Sequence, residues 1–95
     1  MIYSIAYGIH PRLHDYSDLY EAIKSVGDSY IHPLESVWLV SVPDGVGLDE
    51  IYKALRPHFN KMDSFVITSF LPQNQIEGIA TNLLWEWLRE NGHRQ

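Results

Sequence analysis

Residues 2–9, IYSIAYGI, are predicted to form the strand on which the fold of this protein depends. From Tyr3 onward large and small side chains alternate, and a period of two is typical of a β-strand. One face of the strand is therefore bulky and the other nearly flat, so another layer can approach the flat face closely. Pro11 ends the strand because proline has no backbone N–H. The large residues are Tyr3, Ile5, Tyr7 and Ile9, and the small ones are Ser4, Ala6 and Gly8.

The rest of the chain divides into helical and strand segments separated by glycine and proline. Apolar residues three and four positions apart predict helices, and β-branched or aromatic runs predict strands. Pro33 is expected to lie in the break between two strands. The predicted elements are a helix from Asp15 to a stop at Gly27, two strands within residues 28–42 with a break near 32–35, a helix from Leu48 that ends at or just before Arg56, a strand at 64–71 and a C-terminal helix at about 74–91.

The predicted order is β-α-β-β-α-β-α, and it determines the expected fold class. Split βαβ units in this order are typical of a ferredoxin-like α+β sandwich, in which two helices cover one face of a four-stranded antiparallel sheet. We expect residues 1–95 to form a single domain of this kind. The extra C-terminal helix must then cover the other sheet face or an edge, either within the subunit or across a dimer.

Composition and charge exclude several function classes. The chain has no cysteine, which rules out disulfides and thiolate chemistry. Its formal net charge is −5 and its seven lysines and arginines are scattered, which argues against tight binding to duplex nucleic acid. No apolar run approaches the length of a membrane span, and no signal peptide is recognised. The sequence thus predicts a cytoplasmic protein without membrane contact or cofactor.

Three segments of the sequence carry a resemblance to known proteins. AYGI at residues 6–9 resembles the x-Y-D-I signature of the small CRISPR-associated adaptation subunit, and Ser36-Val37-Trp38 resembles its S-V-F signature. EAIKSVG at 21–27 and LESVWLV at 34–40 are closer still to short bacterial proteins labelled SinR-like. This superfamily also includes VapD-type ribonuclease toxins. The resemblance implies a ferredoxin-like homodimer that binds a partner protein or nucleic acid in a bacterial defence or toxin–antitoxin setting.

Gly8 departs from the pattern of that superfamily. Its nuclease-competent members carry an aspartate at the matching position, and two copies hold a divalent metal near the dimer axis. Glycine supplies no oxygen ligand for a hard cation. The resemblance therefore predicts a non-catalytic relative without a metal site. Two alternatives stay open, namely a small endoribonuclease, metal-dependent or metal-free, and a small-ligand regulatory module.

His10 and Tyr7 are the weak candidates for a catalytic role. His10 follows the first strand, and an imidazole there could act as a general base. The favoured interpretation of His10 is a solvent-exposed position in the loop after the strand, and that of Tyr7 is a core or interface position. Ser36 lies near His32 and Glu35, but neighbouring residues on a strand point to opposite faces, which disfavours a catalytic triad.

Trp85, Gly8 and Ala6 are the predicted interface residues. On a helical wheel Trp85 lies about 180° from Ile76, on the polar side of the last helix. An indole in such a position is typical of an interface anchor. A subunit contact is therefore predicted for Trp85, with burial against its own chain and base stacking as alternatives. Gly8 and Ala6 belong to the flat face of the first strand, where a partner can approach.

Overall fold

A computed structural model of the protein describes residues 1–8, 16–70 and 81–92. The fold is α+β, with four strands, three α-helices and a short 3₁₀ turn at Arg56–His58 in the described chain. None of these helices is long and apolar enough to cross a bilayer. The elements are β1 (Ile2–Gly8), α1 (Ser17–Ser25), β2 (Ser29–Leu34), β3 (Val37–Ser41), α2 (Leu48–Leu55), β4 (Ser64–Phe70) and α3 (Asn82–Glu90).

The four strands form one antiparallel sheet in the order β2-β3-β1-β4. β1 is therefore central, with β3 on one side and β4 on the other, while β2 and β4 are the edges. This order, with α1 and α2 as the crossover helices, is ferredoxin-like and confirms the predicted fold class.

The larger core lies between the sheet and the two crossover helices. β1 contributes its bulky face through Tyr3 and Ile5, as the alternation predicts. Each helix contributes a pair of residues four positions apart, which lie on one side of a helix. Those pairs are Leu19 and Ile23 from α1, and Ile51 and Leu55 from α2.

α3 packs on the opposite face of the sheet, within the same subunit. Its Trp87 and Leu88 are buried against Ile2 and Leu39, at the end of the sheet where β1 begins. The Trp87 indole N–H donates a hydrogen bond of 2.8 Å to the Ser29 hydroxyl of β2. Among the described residues, the second core is thus small and covers only part of its face.

Two predicted boundaries are wrong. Pro33 lies inside β2, and the turn between the strands is at Glu35–Ser36. An edge strand tolerates this proline because the pairing with β3 is irregular between Ile31 and Leu34. The predicted helix at 74–91 is not continuous either, because Thr81 has an extended backbone and α3 begins at Asn82.

Two other predicted helix ends are confirmed, and further predicted ends fall on residues that the structure does not describe. α2 ends at Leu55, before Arg56, as the following proline requires. The stop after α3 is confirmed by Gly92, which has a φ of 92°. Asp15, Leu71 and residues 74–80 lie outside the described residues. Tyr16 occupies the N-cap position of α1, and its side chain makes no capping hydrogen bond.

Gly27 joins the end of α1 to β3 through a close backbone approach. The Asp28 N–H donates a hydrogen bond of 2.8 Å to the Ser41 carbonyl oxygen. A Cβ at position 27 would overlap that same oxygen. Gly8 is different, because a Cβ there would meet no atom within 4 Å. Glycine is required sterically at position 27 but not at position 8.

We predict opposite effects for Gly27→Ala and Gly8→Ala. Gly27→Ala should lower the free energy of unfolding by about 1–3 kcal/mol, because the added methyl group forces β3 and the end of α1 apart. Gly8→Ala should cause no steric overlap. It should raise the free energy of unfolding by up to about 1 kcal/mol, because alanine loses less backbone entropy than glycine on folding into a strand. Urea denaturation of both variants measures the difference, and equal midpoints would contradict the packing argument.

Candidate functional site

The carboxyl end of β1 brings together three separate parts of the chain. The Tyr7 N–H donates a hydrogen bond of 3.1 Å to the Ser36 carbonyl, which places the β2–β3 turn beside this strand end. The first turn of α1 lies over the same corner on the helix side of the sheet. Six rings meet here, and we call them the aromatic cluster: Tyr7, Tyr16, Tyr20, Tyr30, His32 and Trp38.

His32 is an exposed ring that stacks on the buried indole of this cluster. Its imidazole stacks on the Trp38 indole, with ring centroids 4.0 Å apart and an interplanar angle of 13°. Trp38 is only 2% exposed, whereas His32 is an exposed residue. Tyr20 of α1 packs against both rings, at 5.4 Å from His32 and 5.3 Å from Trp38. The histidine thus covers a buried tryptophan and is held there by α1.

One backbone carbonyl connects the polar groups of the cluster. The Glu35 oxygen accepts hydrogen bonds from the Tyr7 hydroxyl at 3.2 Å and from His32 Nε2 at 2.9 Å. A carbonyl only accepts, so His32 carries a proton on Nε2, and Nδ1 is the acceptor of the neutral ring. The Tyr7 oxygen in turn accepts the indole N–H of Trp38 at 3.2 Å. The network is directional, from Trp38 through Tyr7 to the turn.

Burial raises the pKa of Tyr7 to about 12, although the hydrogen bond from Trp38 acts in the opposite direction. The phenol therefore stays protonated at physiological pH, and its proton is directed to the Glu35 carbonyl. At neutral pH a phenol with this raised pKa is a poor base and a poor nucleophile. Its contacts give Tyr7 the role of fixing the β2–β3 turn against the end of β1.

The other catalytic interpretations of the sequence concern His10 and residues 32–36. His10 lies outside the described residues. His32 does reach Glu35, but it bonds the backbone carbonyl and not the carboxylate, and Ser36 is exposed in the turn. A serine–histidine–acid relay is therefore not formed there. Within residues 1–8, 16–70 and 81–92, no three histidine or acidic side chains are grouped so that they could hold a metal ion.

A flat part of the sheet remains beyond α3, on the face opposite α1 and α2. Pleat alternation assigns to it the small residues of β1 and their neighbours on β3 and β4. Val66 is 63% exposed here, and Gly8 and Thr68 are exposed as well. None of these strand residues is charged. We call this surface the open face, formed by Ser4, Ala6, Gly8, Val37, Ser64, Val66 and Thr68.

Trp85 is placed differently from Gly8 and Ala6. It is half-buried and packs against the small core around Leu88 and Leu39, so its own chain covers part of the indole. Gly8 and Ala6 lie on the open face, away from that core. A subunit contact through these three residues stays a prediction.

The aromatic cluster itself escaped sequence reasoning, although a signal for it exists. Tyr30 and His32 share one face of β2, and Tyr16 and Tyr20 are four residues apart in sequence. Together these two spacings place four rings on the surfaces that pack together between α1 and the sheet edge. The predicted break at Pro33 obscured the pattern, because it ended the strand before His32 could be assigned to it.

Comparison with known proteins gives a structural likeness alone. No protein family and no curated protein matches the chain. A solved structure of a hypothetical protein, TT1823 from Thermus thermophilus, is similar, with a TM-score of 0.58 over 84% of this chain and 93% of that chain. The two sequences are 20% identical, so the likeness supports the fold.

We predict that Tyr7→Phe weakens the corner of the sheet. The variant removes the donor to Glu35 and leaves the Trp38 N–H without its acceptor, which should cost about 1–2 kcal/mol of unfolding free energy at neutral pH. Tyr30→Phe is the matched control because Tyr30 is 45% exposed, and its effect should lie within about 0.5 kcal/mol. Chemical denaturation with circular dichroism measures both.

A comparison of the wild type with Tyr7→Phe also tests the raised pKa of the Tyr7 phenol. The folded state holds the Tyr7 proton more tightly than the unfolded chain does. The contribution of this proton to the free energy of unfolding is therefore complete below the unfolded pKa of about 10. It is lost as the pH rises from there towards 12. The stability difference between the wild type and Tyr7→Phe should therefore narrow over this range. A constant difference would contradict the buried, protonated phenol.

Proposed function

We propose that this protein is a non-catalytic, homodimeric binding module of the bacterial cytoplasm, which uses its open face to bind a partner protein. The observation that carries this proposal is the uncharged, flat surface beyond α3, where Val66 is 63% exposed. Backbone pairing holds these strands in place, so the surface is organised before a partner arrives. Preorganisation reduces the entropy that binding must overcome.

The chemistry of the open face favours a protein over a nucleic acid. Phosphate binding depends on lysine and arginine, and the open face carries neither. Small side chains at Ser4, Ala6 and Gly8 let a second layer approach the backbone closely, and Val66 offers an apolar contact. A surface without charged side chains is typical of the buried part of protein interfaces.

Two observations near the end of β1 support a role without catalysis. The Tyr7 phenol is kept protonated and bonds the Glu35 carbonyl. Position 8 has room for a side chain, yet glycine provides no ligand there. The resemblance of AYGI and Ser36-Val37-Trp38 to the CRISPR-associated adaptation subunit, whose superfamily includes VapD-type toxins, supports the biological setting that we propose.

The proposal predicts a dimer that does not cleave RNA. Sedimentation should give twice the mass of the chain, and labelled single-stranded RNA should stay intact with and without Mg²⁺. RNA turnover that His10→Ala abolishes would overturn the non-catalytic role and make the protein a small endoribonuclease. A ligand-dependent rise in melting temperature with a small molecule would instead favour a regulatory module.

Photo-crosslinking from position 8 tests the open face directly. A photoreactive phenylalanine fits at Gly8 because the space around it is free. In cells it should form an adduct that protease removes and nuclease does not. The matched control is the same probe at Met62, which is 71% exposed but lies in the turn before β4. Equal adducts from both positions, or a nuclease-sensitive adduct, would contradict a protein partner on this face.

A further inference from the structure

β4 is an edge strand, and its outward-facing backbone groups can be identified. Tyr7 bonds Ser36 on the β3 side of β1, and Met1 exchanges two hydrogen bonds with Val42 on that same side. Successive residues of an antiparallel strand bond to opposite neighbours. The odd-numbered residues of β1 therefore bond β3, and the even-numbered ones bond β4.

The register between β1 and β4 shows which residues of β4 direct their backbone groups towards β1 and which direct them outward. Ala6 lies opposite Val66 and Ser4 lies opposite Thr68, so the even-numbered residues of β4 bond inward. The odd-numbered residues direct their N–H and C=O groups away from the sheet. Among the described residues, none pairs with these outward groups. They belong to Phe65, Ile67 and Ser69.

The two edges of the sheet differ in how well they are protected against pairing with a further strand. β2 contains Pro33 and has an irregular register against β3, and both features prevent a further strand from pairing along it. β4, SFVITSF, has seven residues, no proline, no charge and a continuous register with β1. A regular, uncharged edge of this length is a template for another strand.

We propose that β4 pairs antiparallel with β4 of a second copy of this chain, about a two-fold axis at Ile67. This inference rests on the homodimer of the proposed function and places its interface at the β4 edge, in place of the subunit contact that the sequence predicts at Trp85, Gly8 and Ala6. Only odd-numbered residues can exchange hydrogen bonds across the edge, so each of them must face another odd-numbered residue. A register centred on Ile67 meets this condition and pairs all seven residues of the strand.

The strand is complementary to itself in this register. Val66 lies opposite the partner's Thr68, and the two-fold axis repeats that pair, so two β-branched pairs form on the open face. Phe65 lies opposite the partner's Ser69 on the helix side. The result is one eight-stranded sheet with the two open faces side by side. Its outer edges are both β2, whose proline ends the growth at two copies.

A charge-exchange pair of variants tests the interface and its register. V66K/T68K places lysine opposite lysine at both pairs, whereas V66E/T68K places glutamate opposite the partner's lysine. Both variants replace the same two exposed side chains, so their effects on the fold of one subunit should match. The dimer dissociation constant of V66K/T68K should exceed that of V66E/T68K about ten- to hundredfold. Sedimentation at several concentrations measures both constants.

Hydrogen exchange gives a second measurement that uses the wild type alone. In the proposed dimer the amides of Phe65, Ile67 and Ser69 are paired and should exchange at least about tenfold more slowly than in wild-type protein diluted until it is monomeric. Exchange at the inward amides of Val66 and Thr68 in the wild type is the internal reference, because these bond β1 in either state. The measurement remains decisive if a charged variant fails to fold, since fast exchange at the three outward amides of wild-type dimer would overturn the proposal.

The outcomes separate this inference from the proposed function. A V66K/T68K protein that dimerises as tightly as V66E/T68K would overturn the β4 pairing and leave the homodimer intact. Loss of both variant dimers would overturn the register centred on Ile67. A wild-type protein that is monomeric at every concentration would overturn the homodimer and the pairing together. Assemblies larger than two would overturn the closed two-fold arrangement.

Discussion

The central position of β1 is the constraint on which the rest of this structure depends. Because β1 pairs on both sides, its alternating side chains are divided between two faces that cannot exchange without a change of register. Ile5 is fully buried beneath α1 and α2, while Ile2 lies beneath α3. The flat part of the same strand leaves a surface that α3 does not cover. Core, candidate site and open face thus follow from one pleated segment.

Local pattern predicted the architecture because the strongest signals belong to the elements that define it. The alternation of β1 and the four-residue spacing of Leu19 and Ile23 are both properties of a few neighbouring residues. The edge position of β2 is not a property of neighbouring residues, because it depends on the order of strands across the sheet. Without that order, the sequence places Pro33 in a break between strands, although an edge strand can contain it.

The candidate site was predicted less well, for a related reason. Tyr7 was recognised, but its role depends on Trp38 and the Glu35 carbonyl, which lie about thirty residues away in sequence. Trp85 shows the limit of a helical wheel. The wheel was centred on Ile76 and assumed one continuous helix, whereas the extended backbone at Thr81 separates Trp85 from that reference. In the structure Trp85 is half-buried against its own chain.

The division into two cores of unequal size has a consequence for local unfolding. α3 is anchored mainly by Trp87, Leu88 and one side-chain hydrogen bond to Ser29. Detachment of α3 uncovers Ile2 and Leu39 but leaves the packing around Ile5 intact. Segments with few buried contacts open at lower free energy than the global transition. Within the described chain, α3 is therefore the cooperative unit expected to open first, and its departure enlarges the flat surface to the full width of the sheet.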